Sequence, residues 1–192
     1  MTFFRNFTAP LWEMFAGNLL LLFCSLFYLA WWVVSYRPNS SGGSAGGFYL
    51  AAAFITGAAA IVLMSGGINS LSQDSKGVPV WSILSGVAAL FLVLLPVTAI
   101  AFHRAVTSEL IIIHIWAALE LSAVAVLNGT GRFGAGRAAI LAVLVGIASA
   151  AGLICYVLYY RLDETAGYWS GMVPLATDAL VMAVLLGAMA VS

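Results

Sequence analysis

Six long apolar stretches, separated by short polar segments, constrain this chain more than any other feature of its sequence. A helix needs roughly 20 apolar residues to cross a hydrocarbon core about 30 Å thick. Lipid offers no water to unpaired backbone groups, so each stretch is predicted to cross the membrane as a helix. A membrane β-barrel is disfavoured because its strands alternate apolar and polar residues. The predicted spans are 11–36, 48–64, 80–102, 108–127, 138–160 and 172–191.

The composition agrees with a protein surrounded by lipid. Apolar types make up 64% of the 192 residues, and only 7% are Asp, Glu, Lys or Arg. The short connections leave no room for a soluble domain, so residues 1–192 are predicted to form a single all-α transmembrane bundle. The formal net charge is zero and no basic cluster is present, so membrane lipid is an expected partner and nucleic acid is not.

A faint internal repeat groups the six predicted helices into three helical hairpins. The first, third and fifth spans each end in an aromatic or imidazole side chain followed by arginine: Tyr36-Arg37, His103-Arg104 and Tyr160-Arg161. Each pair is suited to anchoring a helix end in the headgroup layer. The regular recurrence also predicts three hairpins around a common axis, an arrangement that can enclose a central path.

An even number of spans places both termini on one side of the membrane. That side carries four basic residues and the opposite side carries three: Arg5, Lys76, Arg132 and Arg137 against Arg37, Arg104 and Arg161. Because cytoplasmic loops carry an excess of Lys and Arg, this small bias predicts a multi-pass integral membrane protein with both termini in the cytoplasm.

The second span is unusually rich in small residues. Its Ala53 and Gly57 form a small-xxx-small step. Such surfaces let helix backbones approach closely where lipid offers no hydrophobic drive for association. Packing within the bundle is the predicted role, and a homo-oligomer interface is the alternative.

Two acidic residues lie within apolar spans, where a charge is expensive. Every Arg and the only Lys fall in a tail or a connection, whereas Glu120 and Asp178 do not. Glu120 is 12 residues beyond Ser108, roughly 18 Å along the fourth span, and Asp178 is about 9 Å inside the sixth. A carboxylate at mid-membrane costs about 2.5–3.5 kcal/mol. Each is therefore expected to hold a proton, to pair with a protonated histidine or to bind a cation.

Three further side chains of the fourth span join these acids as candidates for a substrate or proton site. His114 lies about 9 Å inside the span, so it is predicted to be level with Asp178 and to serve as a proton relay. At 100° per residue, Glu109, Trp116 and Glu120 share one stripe that would line a polar path. The structural alternatives stay open: hydrogen-bonded protonated acids, a buried neutral imidazole, a packing tryptophan and a carboxylate that favours the helix start.

These features predict a small-solute channel or transporter for a neutral or cationic substrate, with proton coupling through the intramembrane carboxylates. An anion is disfavoured because no basic residue lies deep in a span. No metal-ligand spacing or convincing nucleophile motif is present, and the G-x-G-x-x-G spelling at 129–134 follows a predicted membrane helix rather than a strand. No metal, cofactor or catalytic residue is therefore predicted. Two alternatives stay open: a membrane-embedded enzyme acting on a lipid or isoprenoid, and an accessory or lipid-binding membrane subunit.

Overall fold

The chain folds into long apolar helices. The computed structural model describes residues 7–37, 45–73, 108–159 and 161–192, together with positions 93, 96, 97 and 100. These residues contain no strand and five long helices: α1 (Ala9–Tyr36), α2 (Ala45–Ser72), α3 (Ser108–Gly129), α4 (Ala135–Tyr159) and α5 (Glu164–Ala190). All five are long and apolar enough to cross a membrane, so the protein is an all-α, multi-pass membrane protein.

The helices α3, α4 and α5 correspond to the fourth, fifth and sixth predicted spans. The third predicted span, 80–102, lies outside the described residues except for four single helical positions within it. The six-helix count and the three-hairpin arrangement are therefore not confirmed by the described residues, and both remain predictions.

The outer surface of the bundle is apolar. Large apolar side chains on α2 and α4 are exposed, among them Phe48, Phe54, Ile55, Ile140, Ile147 and Ile154. In water, so many exposed large apolar side chains would cause aggregation, whereas lipid solvates them. Exposed aromatic side chains near helix ends, Trp12, Tyr36 and Trp169, suit the membrane–water interface.

α5 begins at Glu164, eight residues before the predicted start at 172. Asp163 caps it, since its side chain accepts a hydrogen bond of 2.7 Å from the backbone N–H of Ala166. The count of apolar residues missed this start because residues 163–170 are relatively polar. The Asp163 cap is a local reason for the helix to begin there. Pro174 lies inside the helix, as membrane helices tolerate.

α2 likewise runs on to Ser72, eight residues beyond the predicted end at 64. The predicted span stopped at Met64, before a serine and two glycines. In the structure, Gly67 instead packs against α1, where a Cβ built on it would lie 2.5 Å from the Pro10 carbonyl oxygen. Tertiary packing therefore extends the helix past the apolar run.

The helices pack in a cyclic order. α1 has extensive contacts with α2 and packs against α5 on another side, α4 lies between α3 and α5, and α3 contacts α2. Because the connections between α3, α4 and α5 are short, α4 runs opposite to its two neighbours and α3 and α5 run in the same direction. Buried apolar residues from all five helices form the main core cluster.

Hydrogen bonds at a seven-residue spacing join α1 to α5. Three buried α1 side chains donate to backbone carbonyls of α5: Asn18 Nδ2 to Met182 (3.3 Å), Ser25 Oγ to Leu175 (2.9 Å) and Trp32 Nε1 to Tyr168 (3.1 Å). Donor numbers rise by seven while acceptor numbers fall by seven, so the two helices are antiparallel in a single register. Seven residues is the period at which helices meet in a left-handed bundle.

Removing one of these bonds should weaken the bundle slightly. We expect Ser25→Ala to lower the free energy of unfolding by about 0.6 kcal/mol, a typical value for an interhelical hydrogen bond in a membrane. The measurement is reversible unfolding of the purified protein by dodecyl sulfate in mixed micelles. Ser122→Ala is the matched control, because the buried Ser122 hydroxyl donates only within α3, to the Ala118 carbonyl oxygen. An equal loss in both variants would contradict the interhelical assignment.

Small residues bring α1 and α2 into close backbone contact. A Cβ built on Gly17 of α1 would lie 2.7 Å from the backbone N of Met64, and one built on Gly57 of α2 would lie 2.9 Å from the Cys24 sulfur. Ala53, the other member of the predicted small-xxx-small step, is buried. This step therefore packs inside the bundle, where close approach increases dispersion contacts.

Candidate functional site

Both predicted intramembrane acids lie in the interior of the bundle. Only 3% of Glu120 and 6% of Asp178 is exposed. Among the described residues, Glu120 Oε1 and Asp178 Oδ2 have no hydrogen-bond partner. A buried polar atom without a partner is costly in an apolar interior, so each of these oxygens calls for a partner such as a proton, an ion or a water molecule.

Asp178 lies at a depth between those of His114 and Glu120, because Ile113 of α3 and Pro174 of α5 both contact the position of Gly152 on α4. Asp178 lies 14 residues from the start of α5 at Glu164, about 21 Å along the helix. Glu120 lies about 18 Å from the start of the parallel helix α3, and His114 only about 9 Å. Glu120 and Asp178 are both buried, on helices that are in contact.

Asn18 brings an amide to the same region from α1. Its side chain is completely buried, and its Nδ2 donates to the carbonyl oxygen of Met182, one helical turn from Asp178. Its Oδ1 has no partner among the described residues. The hydrogen bond therefore holds the amide beside α5 and leaves the carbonyl oxygen as an unused acceptor.

Ser65 brings a hydroxyl from α2. It is completely buried, and its Oγ has no partner within the described part of the chain. It follows Met64, whose backbone N would lie 2.7 Å from a Cβ on Gly17, the neighbour of Asn18. This contact places Ser65 at the depth of Asn18.

We refer to these four side chains, Asn18, Ser65, Glu120 and Asp178, as the polar layer. They come from α1, α2, α3 and α5, and lie about 10–18 Å from the end of the bundle that holds the α1 start and the α5 end. The described Arg residues lie in connections or within three residues of a helix end: Arg37, Arg132, Arg137 and Arg161. The layer thus combines four oxygen acceptors with no arginine at its depth in the described residues.

The other predicted site residues are distributed differently. Trp116 is buried in the main apolar core, as expected of a packing residue. His114 is half-buried, between the layer and the start of α3. Glu109 lies in the first turn of α3, and its side chain falls outside the described residues. The predicted stripe of Glu109, Trp116 and Glu120 therefore remains a prediction.

Two members of the polar layer were missed by sequence reasoning. Asn18 is an amide within an apolar span, and its seven-residue spacing from Ser25 and Trp32 was the signal that could have identified it. Ser65 fell just outside the predicted second span, and only the true length of α2 places it in the bundle.

Comparison of the chain with known protein families, curated proteins and solved structures finds no match. Among the described residues, no group of three or more His, Cys, Asp or Glu side chains is arranged to hold a metal ion. The chemistry of the polar layer is therefore the basis for a functional proposal.

Proposed function

We propose that the protein is a proton-coupled transporter of a small neutral or cationic solute, with the polar layer as its coupling site. The observation that carries this proposal is the burial of four oxygens without hydrogen-bond partners, two of them on carboxyl groups, among the described residues. Intramembrane acids of this kind commonly mark proton or ion pathways.

The arrangement of Glu120 and Asp178 supports proton exchange. Two neighbouring carboxylates in a low-dielectric interior repel each other, so the pair is more stable with at least one proton bound. Release of a proton to one side, followed by uptake from the other, would change the charge of the layer and the relative stability of its conformations. His114 lies between the layer and the start of α3, a suitable position for a relay.

The position of the layer also bears on the nature of the solute. An anion would meet two acidic groups and no arginine at that depth within the described residues, so a neutral or cationic solute fits better. An enzyme acting on a lipid would need its reactive groups near the headgroups. The polar layer is about 10 Å or more from the nearer helix ends, which favours transport over that alternative.

The proposal retains six spans in three hairpins with both termini in the cytoplasm. The hydrogen bonds between α1 and α5 are antiparallel, so the start of α1 and the end of α5 share one end of the bundle. This geometry supports an even number of crossings. Two hairpins of such a plan have both helices described, namely α1 with α2 and α4 with α5, and each pair is in contact.

Proton movement in proteoliposomes tests the proposed function. The full-length protein is reconstituted with entrapped pyranine, and the internal pH is followed after addition of Na+, K+, methylammonium or urea. We expect at least one of these solutes to drive a pH change that exceeds the change in protein-free liposomes. If none of them does so, the proton-coupled proposal for small cations and neutral solutes is contradicted, and an accessory role becomes the better account.

A further inference from the structure

We infer that the joined ends of α4 and α5 form a hinged gate, which swings away from α1 about a pivot at Pro174. The gate consists of residues 153–159 of α4 and 164–173 of α5. Its role in admitting protons or solute rests on the proposed function, because the pivot lies one helical turn from the buried Asp178. The motion itself can be measured without any transport.

The pivot in α5 is a proline inside the helix. Pro174 has no backbone N–H, so the helical hydrogen bond to the carbonyl oxygen of Ser170 cannot form. The Thr177 hydroxyl bonds back to this turn, with its Oγ1 at 2.9 Å from the carbonyl oxygens of both Val173 and Pro174. Proline and hydroxyl back-bonding both favour a bend. α5 is therefore easiest to bend between residues 170 and 177.

α4 has a glycine opposite this pivot. A Cβ built on Gly152 would lie 3.8 Å from the Pro174 Cβ and 3.2 Å from the Ile113 Cγ2 of α3, so a larger residue would be crowded there. Glycine also has more backbone freedom than other residues, which makes α4 easier to bend at this level. Both helices of the hairpin can therefore bend at the same depth.

The two parts of the gate are joined to each other. The Ser170 hydroxyl of α5 donates a hydrogen bond of 3.0 Å to the Cys155 carbonyl oxygen of α4. The connection between the two helices is also short, because α4 ends at Tyr159 and α5 begins at Glu164. A bend at the pivot would therefore carry both helix ends together.

Trp32 latches the gate to α1. Its Nε1 donates a hydrogen bond of 3.1 Å to the Tyr168 carbonyl oxygen. Its ring lies against the backbone of Gly171, where a Cβ would be 2.6 Å from the Trp32 Cε2. On α1 the same ring stacks on Tyr36, with 4.5 Å between the ring centroids. The structure thus shows the gate closed, and a latch of one hydrogen bond is weak enough to open reversibly.

The part of α5 beyond the pivot is held on α1 by other bonds. The carbonyl oxygens of Leu175 and Met182 both accept hydrogen bonds from α1 side chains. Asp178 lies in this fixed part, about 6 Å past the pivot, and its Oδ2 has no hydrogen-bond partner among the described residues. Opening of the gate would therefore give this carboxyl group access to water from the end of the bundle where α5 begins.

Distances between spin labels test the motion. The two native cysteines are replaced by alanine, and nitroxide labels are attached to pairs of new cysteines on the full-length protein in lipid nanodiscs. A gate pair joins Phe48 of α2 to Thr165 of the gate, and a control pair joins Gln73 to Val191, just beyond the opposite ends of the same two helices. All four positions are exposed.

Gly171→Ala should open the gate, because the new Cβ would displace the Trp32 ring. We expect the distance of the gate pair to lengthen by about 5 Å, the displacement at Thr165 for a bend of about 20° over roughly 14 Å of helix. The control pair should not change. Gly187→Ala is the matched control, since a Cβ there would meet no other atom within 4 Å.

Two further variants test the latch and the pivot. Trp32→Phe removes the N–H donor but keeps an aromatic ring, so it should lengthen the gate pair in the same direction by a smaller amount, and it tests the latch even if Gly171→Ala does not fold. Adding Pro174→Ala to Gly171→Ala restores the missing N–H, so most of the lengthening should disappear.

Three results would overturn the gate. They are equal lengthening of both pairs, lengthening that persists with Pro174→Ala, and an unchanged gate pair in both Gly171→Ala and Trp32→Phe. Any of them would leave the proposed function standing if solutes still drive proton movement in proteoliposomes. Opening of the gate without any solute-driven proton movement would instead remove the transport proposal and leave the hinge intact.

Discussion

Replacing Glu120 by glutamine should reduce solute-driven proton movement in proteoliposomes by about a hundredfold or more, the usual range for loss of an acid–base group. Glutamine has nearly the same size and can still form hydrogen bonds, but it cannot bind and release a proton at physiological pH. Asp178→Asn should have the same effect, because both carboxyl groups lie in the interior of the bundle. The measurement is the initial rate of pyranine response per reconstituted protein.

The Glu120→Gln and Asp178→Asn variants must remain folded, since an unfolded protein would also lose proton movement. The amide variants avoid the cost of a buried charge, so their Tm in detergent should be equal to or above that of the wild type. Glu13→Gln is the matched control, since it makes the same chemical change at an exposed carboxyl group outside the polar layer. Wild-type flux in Glu120→Gln would contradict the assigned role, whereas a loss in Glu13→Gln as well would point to a general electrostatic effect.

The same variants separate the alternative functions. An enzyme acting on a lipid near the headgroups should depend more on His114 than on the deeper acids. An accessory subunit should tolerate the amide changes at both acids without loss of function. A transporter loses flux while it stays folded.

Gly17→Leu should strongly destabilise the bundle. A Cβ at this position would lie 2.7 Å from the Met64 backbone N and 3.2 Å from the Ala60 carbonyl oxygen. Backbone atoms cannot rotate away as a side chain can, so α1 and α2 would have to separate. We expect the free energy of unfolding to fall by about 3 kcal/mol or more, at the upper end for an overpacked interior.

Gly187→Leu is the control for this substitution. Gly187 lies within α5, and a Cβ built there would meet no other atom within 4 Å, so the new side chain would extend into open space. Leucine is a better helix former than glycine by somewhat less than about 1 kcal/mol, so the control should be neutral or slightly more stable. Both variants are compared by dodecyl sulfate unfolding in mixed micelles. Similar stabilities would show that α1 and α2 are not in backbone contact at Gly17.

The approximate positions of the described helices could be predicted from the sequence, but two of their ends could not. Apolar length alone locates a membrane helix, because lipid demands an unbroken run of such residues. α5 starts at a polar capping residue, Asp163, and α2 continues through Gly67 because that glycine packs closely against α1. Both extensions depend on hydrogen bonding or packing that an apolar count does not detect.

The candidate site could also be predicted only in part from the sequence. Glu120 and Asp178 were identified as unusual from the sequence, since no acid is expected within an apolar span without a reason. That His114 is level with Asp178 stays a prediction. Asn18 and Ser65 are common residue types that the sequence does not mark as special. Only the structure shows that both are buried and that each has an oxygen without a hydrogen-bond partner among the described residues.

The sequence by itself determined that this protein lies in a membrane as a set of long helices, because the length and polarity of a segment decide how it partitions into lipid. Only the tertiary structure decided that α1 lies between α2 and α5 and that polar atoms from four helices are buried in the interior. The reason is that helix register arises from contacts between distant segments, such as the Asn18–Met182 hydrogen bond and the Gly17–Met64 approach, and no local pattern specifies them.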